Sequence, residues 1–181
     1  SLTQLPWFVF LGLGCGIFGA LFLKMLRYTK RQFGATQWPV YVQMAVAGLL
    51  VGLIAIEFPG VWGNGYVVTN RILHNEVPLL MLAGLFVAKL LATVVTVGSG
   101  TVGGVFTPTL FLGAGLGGMF GAGLHSIDVA TELPTSGFAL VGMASVLAAT
   151  TRSPFLAMIM VFEISLDYSL MPPLMLGCVM A

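Results

Sequence analysis

The chain has 181 residues, 58% of them hydrophobic and only 7% charged, with a formal net charge of +1. Seven basic and six acidic side chains cannot coat a water-facing surface, where about a quarter of residues are normally charged, so a soluble globular domain is excluded. Disorder, which needs low hydrophobicity and high charge, and nucleic-acid binding, which leaves a strongly basic footprint, are excluded with it.

What remains is an integral membrane protein whose 24 glycines need a reason. A membrane-spanning helix takes about 20 mostly apolar residues. The first such run is Leu5–Leu26, with Lys24 near its end; the second is Val40–Phe58 and the third Pro78–Val97. A fourth, Phe106–Leu124, is thick with glycine. A polar break at His125–Ser136 leads to two shorter pieces, Phe138–Ala149 and Phe155–Ile164, and a last run begins near Leu170. Pieces of about 10–14 residues do not cross a ~30 Å hydrocarbon core. They predict broken, short or re-entrant helices, whose non-helical backbone survives at membrane depth only where protein buries it or water reaches it. Short hydrophobic segments interrupted by Gly and Pro are the sequence pointer to a transport site. The chain starts at Ser1 and stops inside an apolar run, with no signal-peptide pattern, and is expected to be a piece of a longer protein.

Lys24, Arg27, Lys30 and Arg31 cluster just after the first run, which by the positive-inside rule puts that end in the cytoplasm. The loop Pro59–Val77, with Arg71, His74 and Glu76, then lies outside. Cys15 and Cys178 sit in apolar runs and form neither a disulfide framework nor a zinc site. No metal-ligand spacing is present around His74 or His125.

The most specific stretch runs from Gly98 to Gly115, in which six of 18 residues are glycine and none is charged. Gly98, Gly100, Gly103 and Gly104 can adopt backbone conformations other residues avoid, and Pro108 suits the first turn of a helix. One helix is therefore expected to end near Val97 and another to start near Val105 or Phe106. A helix start presents unpaired N–H groups and a partial positive charge. Facing an aqueous cavity it holds an anion without a full basic charge. Close helix packing accounts for glycine equally well, and Gly113, Gly117 and Gly121, like Gly12 and Gly16, recur at the small-xxx-small spacing.

Gly103-Gly-Val-Phe-Thr-Pro108, continued by Thr-Leu-Phe-Leu-Gly-Ala114, resembles the GGxFxP anion-site motif of the CLC family of chloride channels and chloride–proton antiporters. Gly63-Asn-Gly-Tyr66 resembles that family's Gly-rich external loop before a short helix. Gly142–Pro154 resembles its GMGALLAASxRAP-like stretch, and Val161-Phe-Glu-Ile164 with Asp167-Tyr168 the segment after it. The resemblance covers nearly the whole chain, in the family's order. It implies an all-α membrane fold of the CLC inverted-repeat type, with residues 1–181 forming the second, C-terminal half of the transmembrane domain; the first half and the last helix are absent. It implies chloride or another halide as cargo, no resident cofactor, and no enzymatic activity. It also implies a homodimer in a bacterial inner membrane, joined through Phe155–Ile164 and Leu170–Ala181. The expected anion ligands are the backbone N–H groups of Val105 and Phe106, supported by Gly103 and Gly104. The family's first-half Ser motif, gating glutamate, proton glutamate and ligand tyrosine have no counterpart; Gly98-Ser99-Gly100 precedes Thr-Val, and Tyr168 lies too early.

Lys89, in the middle of a hydrophobic run, either raises the anion potential in an aqueous vestibule or pairs with a glutamate or carbonyl. Glu163 is expected to satisfy backbone or arginine donors. Two other functions compete with anion transport. An intramembrane serine hydrolase would need Ser99 within hydrogen-bond reach of His125 or His74. A non-transporting membrane scaffold would gain nothing from a Gly/Pro break at mid-membrane.

Overall fold

The computed structural model describes residues 5–74, 76–101, 103–126 and 135–181. Among the described residues there are eight α-helices and two short 3₁₀ turns. The helices are α1 (Leu5–Ala35), α2 (Val40–Glu57), α3 (Tyr66–Leu73), α4 (Leu79–Gly98), α5 (Phe106–Ser126), α6 (Thr135–Thr151), α7 (Pro154–Ser165) and α8 (Met171–Met180). The fold is all-α, as expected. Three helices are long and apolar enough to cross a bilayer: Pro6–Ala35, Val40–Glu57 and Leu79–Gly98.

Each apolar run became a helix because nothing in it competes. Several of the breaks fall at proline, while Gln37 and Leu166, both with positive φ, follow the ends of α1 and α7. Pro39 and Pro78 cap α2 and α4 from outside, and Pro154 opens α7 at its first position, where its missing N–H costs nothing. The expected short pieces are present: α7 has 12 residues and α8 has 10, about 18 and 15 Å of helix. The notional break at His125–Ser136 lies largely outside the described residues; α5 runs to Ser126 and α6 starts at Thr135.

α1 differs from the expectation. It continues past Leu26 to Ala35, so Lys24, Arg27, Lys30 and Arg31 stand on its final turns rather than after it. The physical reason is that lysine, arginine and glutamine favour helix although they end a hydropathy run. At 31 residues α1 is about 46 Å long, more than a ~30 Å core requires. The short helix α3 sits inside the loop Pro59–Val77, as the likeness at Gly63–Tyr66 implied.

α6 is the centre of the fold. Every residue from Gly137 to Ala148 is buried, with α1, α5, α7 and α8 packed around it. Phe138 stacks on Phe8 of α1 at 4.9 Å between centroids. The closest contact is α5 on α6, where a Cβ on Gly113 would stand 2.6 Å from the Gly142 carbonyl oxygen and from the Met143 Cα. Gly117 and Gly121 meet Phe138 in the same way, so the four-residue glycine spacing is a packing device here. Gly12 and Gly16 do the same for α1 against α8, at Gly177 and Ala181.

α2 is the opposite case: of its 18 residues only Ala47 and Ala55 are buried. Its outer face carries exposed Leu49, Leu53 and Ile56, a surface suited to lipid. α7 and α8 also present broad apolar faces, with Phe155 76% and Val179 70% exposed.

Candidate anion site

α4 ends at Gly98 and α5 begins at Phe106, so the chain breaks between them as the glycines predict. Ser99 closes α4: its hydroxyl donates to the Thr96 carbonyl at 2.8 Å and pairs with the Thr101 hydroxyl at 2.9 Å. Gly100 takes a left-handed turn at φ +81°. Gly104 does not share that conformation, and at both Gly103 and Gly104 nothing lies within 4 Å of where a Cβ would be.

Val105 stands at the cap of α5, because its carbonyl accepts the first intrahelical bond from the Thr109 N–H at 3.0 Å. The Thr109 hydroxyl donates to the same oxygen at 2.7 Å. The N–H groups of Val105, Phe106 and Thr107 precede that first bond, and Pro108 has none. Among the described residues no backbone bond of the break uses those three donors. Val105 is half-buried and Phe106 is 38% exposed. Three N–H groups without a backbone partner among the described residues, at the positive end of a 21-residue helix, form the arrangement that binds anions elsewhere.

A cavity of about 520 Å³ lies beside this break. Gly48, Val51, Gly52 and Ala55 of α2 form one wall, and Lys89, Thr93, Thr96 and Val97 of α4 another. Val61–Asn64 form the third wall, and Gly103, Gly104 and Pro108 the fourth. Of the site residues expected from sequence, Gly103, Gly104 and Lys89 therefore share one cavity. Val105 and Phe106 follow Gly104 directly but are not among its lining residues.

Lys89 is 4% exposed. Its ammonium donates to the carbonyls of Val61 at 2.9 Å and Gly63 at 2.8 Å. It also lies 5.8 Å from the centre of the Phe111 ring, within cation–π range. Carbonyl pairing, one of the two roles open from sequence, is present, and Lys89 also lines the cavity. Its partners are 26 and 28 residues away in sequence, which is why no local pattern announces them. The α2 wall was also missed; its signal was Gly48, Gly52 and Ala55, small residues on one helical face.

Glu163 is exposed on α7, and among the described residues its side chain has no hydrogen bond to a backbone or arginine donor. His74 Nδ1 lies 2.8 Å from the Asn70 carbonyl and His125 Nδ1 2.9 Å from the Gly121 carbonyl. Neither histidine is a hydrogen-bond partner of Ser99, so the hydrolase geometry is missing. Among the described residues no group of His, Cys, Asp and Glu could hold a metal.

A helix start with N–H groups that lack backbone partners among the described residues, beside a cavity between apolar helices, is an arrangement suited to holding an anion. The chain matches the family model for voltage gated chloride channels over residues 1–181, and it belongs to that family, the CLC proteins, whose members are channels and transporters rather than enzymes. It is 44% identical to a ClcB-like chloride channel protein of Ralstonia nicotianae over 93% of this chain and 39% of that protein. It is 39% identical to the voltage-gated ClC-type chloride channel ClcB of Escherichia coli over 94% of this chain and 41% of that protein. Its fold matches a crystal structure of a eukaryotic CLC transporter with a TM-score of 0.80 and 24% identity, covering 99% of this chain and 33% of that one. The chain thus spans about two fifths of the length of the curated relatives it matches.

Proposed function

We propose that this chain is the C-terminal half of a CLC transmembrane domain and supplies one side of a chloride pathway, in a channel or a proton-coupled antiporter. The observation that carries this is the start of α5: unpaired N–H groups at Val105 and Phe106, reached across Gly103 and Gly104. Backbone donors suit a transported anion, because binding must be selective yet weak enough for release. Lys89 adds positive potential in the neighbouring cavity. No resident cofactor takes part, and chloride or a related halide is cargo. The relatives named as chloride channels support that cargo.

The apolar faces of α7 and α8, Phe155–Ile164 and Leu170–Ala181, form the homodimer contact in this proposal. The basic end of α1, residues 24–31, lies on the cytoplasmic side of a bacterial inner membrane.

The test is Phe106→Pro in the full-length protein. Proline is tolerated at the first helical position, and the preceding cap residue already needs an extended conformation. The variant therefore removes one N–H donor and leaves the helix. A hydrogen bond to a charged group contributes about 1.5–3 kcal/mol, so chloride affinity measured by calorimetry should fall by roughly ten- to hundredfold. Phe106→Ala, which keeps the N–H, controls for loss of the ring. Unchanged affinity in Phe106→Pro would sink the site.

A further inference from the structure

The cavity beside the α5 start poses a problem that Lys89 solves. A pathway for anions must present donors and hide acceptors, because an unpaired carbonyl oxygen carries a negative partial charge and two lone pairs. Val61 and Gly63 both line the cavity; Val61 ends the 3₁₀ turn Pro59–Val61, Gly63 follows it, and among the described residues neither carbonyl accepts a backbone hydrogen bond. Both oxygens are instead taken by Lys89 Nζ, at 2.9 and 2.8 Å.

The same lysine holds that turn against α5. Gly65 closes the turn in the left-handed conformation, φ +75°. A Cβ there would lie 2.9 Å from Cδ2 of Phe111, 3.5 Å from Lys89 Cε and 3.6 Å from Lys89 Nζ. Phe111 itself is fully buried, about one and a half turns into α5 from Phe106. One buried ammonium thus joins α4, the Val61–Gly65 turn and the first turns of α5. The other polar side chains of the α4 wall are committed to their own helix: Thr93 donates to the Lys89 carbonyl and Thr96 to the Ala92 carbonyl, each at 2.7 Å. Lys89 is the cationic residue of the cavity lining.

We infer that Lys89 is a positioning residue that masks the Val61 and Gly63 carbonyls and sets the turn's distance from the α5 helix start, so that the cavity wall facing the anion is donor-rich. This rests on the proposal that the α5 start is an anion site, and it assigns the lysine a task separate from its charge. Val61 and Gly63 need hydrogen-bond donors, not a cation as such.

The experiment compares Lys89→Met, Lys89→Gln and Lys89→Arg in the full-length protein, reconstituted in liposomes, by chloride efflux and by amide hydrogen exchange in the Val61–Gly65 turn. Methionine removes donor and charge. Glutamine keeps two N–H donors without charge. Arginine keeps both. The expected result is a fall in chloride turnover of about tenfold or more in Lys89→Met, with faster exchange in the turn. Lys89→Gln and Lys89→Arg should recover turnover to within about threefold of wild type, with the turn protected. If Lys89→Met does not yield folded protein, the remaining pair decides: both active supports masking, and arginine active with glutamine inactive overturns it in favour of charge. Wild-type flux with an unaffected Lys89→Met overturns masking alone. A wild-type protein that neither binds nor moves chloride overturns the anion site and the masking role together.

Discussion

Two glycine-rich regions lie on either side of the α5 start, and they use the residue in opposite ways. Downstream, Gly113, Gly117 and Gly121 face α6 so closely that an added methyl would collide with backbone at Gly142 and Met143 or with Phe138. Upstream, Gly103 and Gly104 have nothing within 4 Å of where a methyl would sit. The first region is closely packed against α6; the second opens on a cavity of about 520 Å³. Glycine therefore brings helices together in one place and leaves a cavity free of side chains in the other. A composition count merges the two. Only the surroundings separate stability from function.

The largest expected effect lies in the packed region. Gly117→Val should abolish folded protein, because its Cβ would lie against the Phe138 carbonyl and the Ala139 Cα, and neither is the movable end of a side chain. Overpacking of this kind costs about 1–3 kcal/mol when side chains can adjust and more against backbone. Size-exclusion chromatography of the full-length protein in detergent should show aggregate in place of a monodisperse peak. A well-folded Gly117→Val would remove the contrast between the regions. In the open region the same chemistry should leave the fold alone. Gly103→Ala and Gly104→Ala should shift unfolding by no more than about 0.5 kcal/mol, yet each narrows the approach to the Val105 and Phe106 donors. Chloride turnover in liposomes should fall severalfold. Lower stability with unchanged turnover would mean that these glycines are structural too.

Much of this was legible in the chain. Pro39, Pro78 and Pro154 mark helix starts by local stereochemistry, and the break between Val97 and Phe106 follows from Gly100 and Pro108. The Gly113–Gly121 spacing announces a close helix contact because a four-residue interval returns to the same helical face. The stretch Gly103–Pro108 was singled out as a candidate anion site through likeness to a family, since a Gly-rich break before a helix is compatible with packing alone. Three things were not legible. α1 runs to Ala35 because helix propensity outlasts hydropathy. Gly103 and Gly104 resemble turn glycines, but whether a glycine serves conformation or space depends on its neighbours. Lys89 finds its partners across 26 and 28 residues, and no window along the sequence relates an ammonium on α4 to carbonyls in an earlier turn.

The smallest effect concerns a buried hydroxyl in the packed region. Ser145 on α6 is fully buried and, among the described residues, its hydroxyl is the buried side-chain polar atom without a hydrogen-bond partner. It faces α8 at Gly177, where an added Cβ would stand 2.7 Å from its oxygen. Lys89 shows the contrary treatment, a buried polar group with two acceptors in place. An unpaired buried hydroxyl costs about 1–3 kcal/mol, and alanine removes the oxygen while keeping the backbone and most of the volume. Ser145→Ala should therefore stabilise the full-length protein by about 1 kcal/mol, read as a higher midpoint of thermal unfolding in detergent, with chloride turnover unchanged. Destabilisation would mean that the hydroxyl has a partner in the assembled protein. The packed region would then contain a polar contact that reaches beyond this half of the molecule.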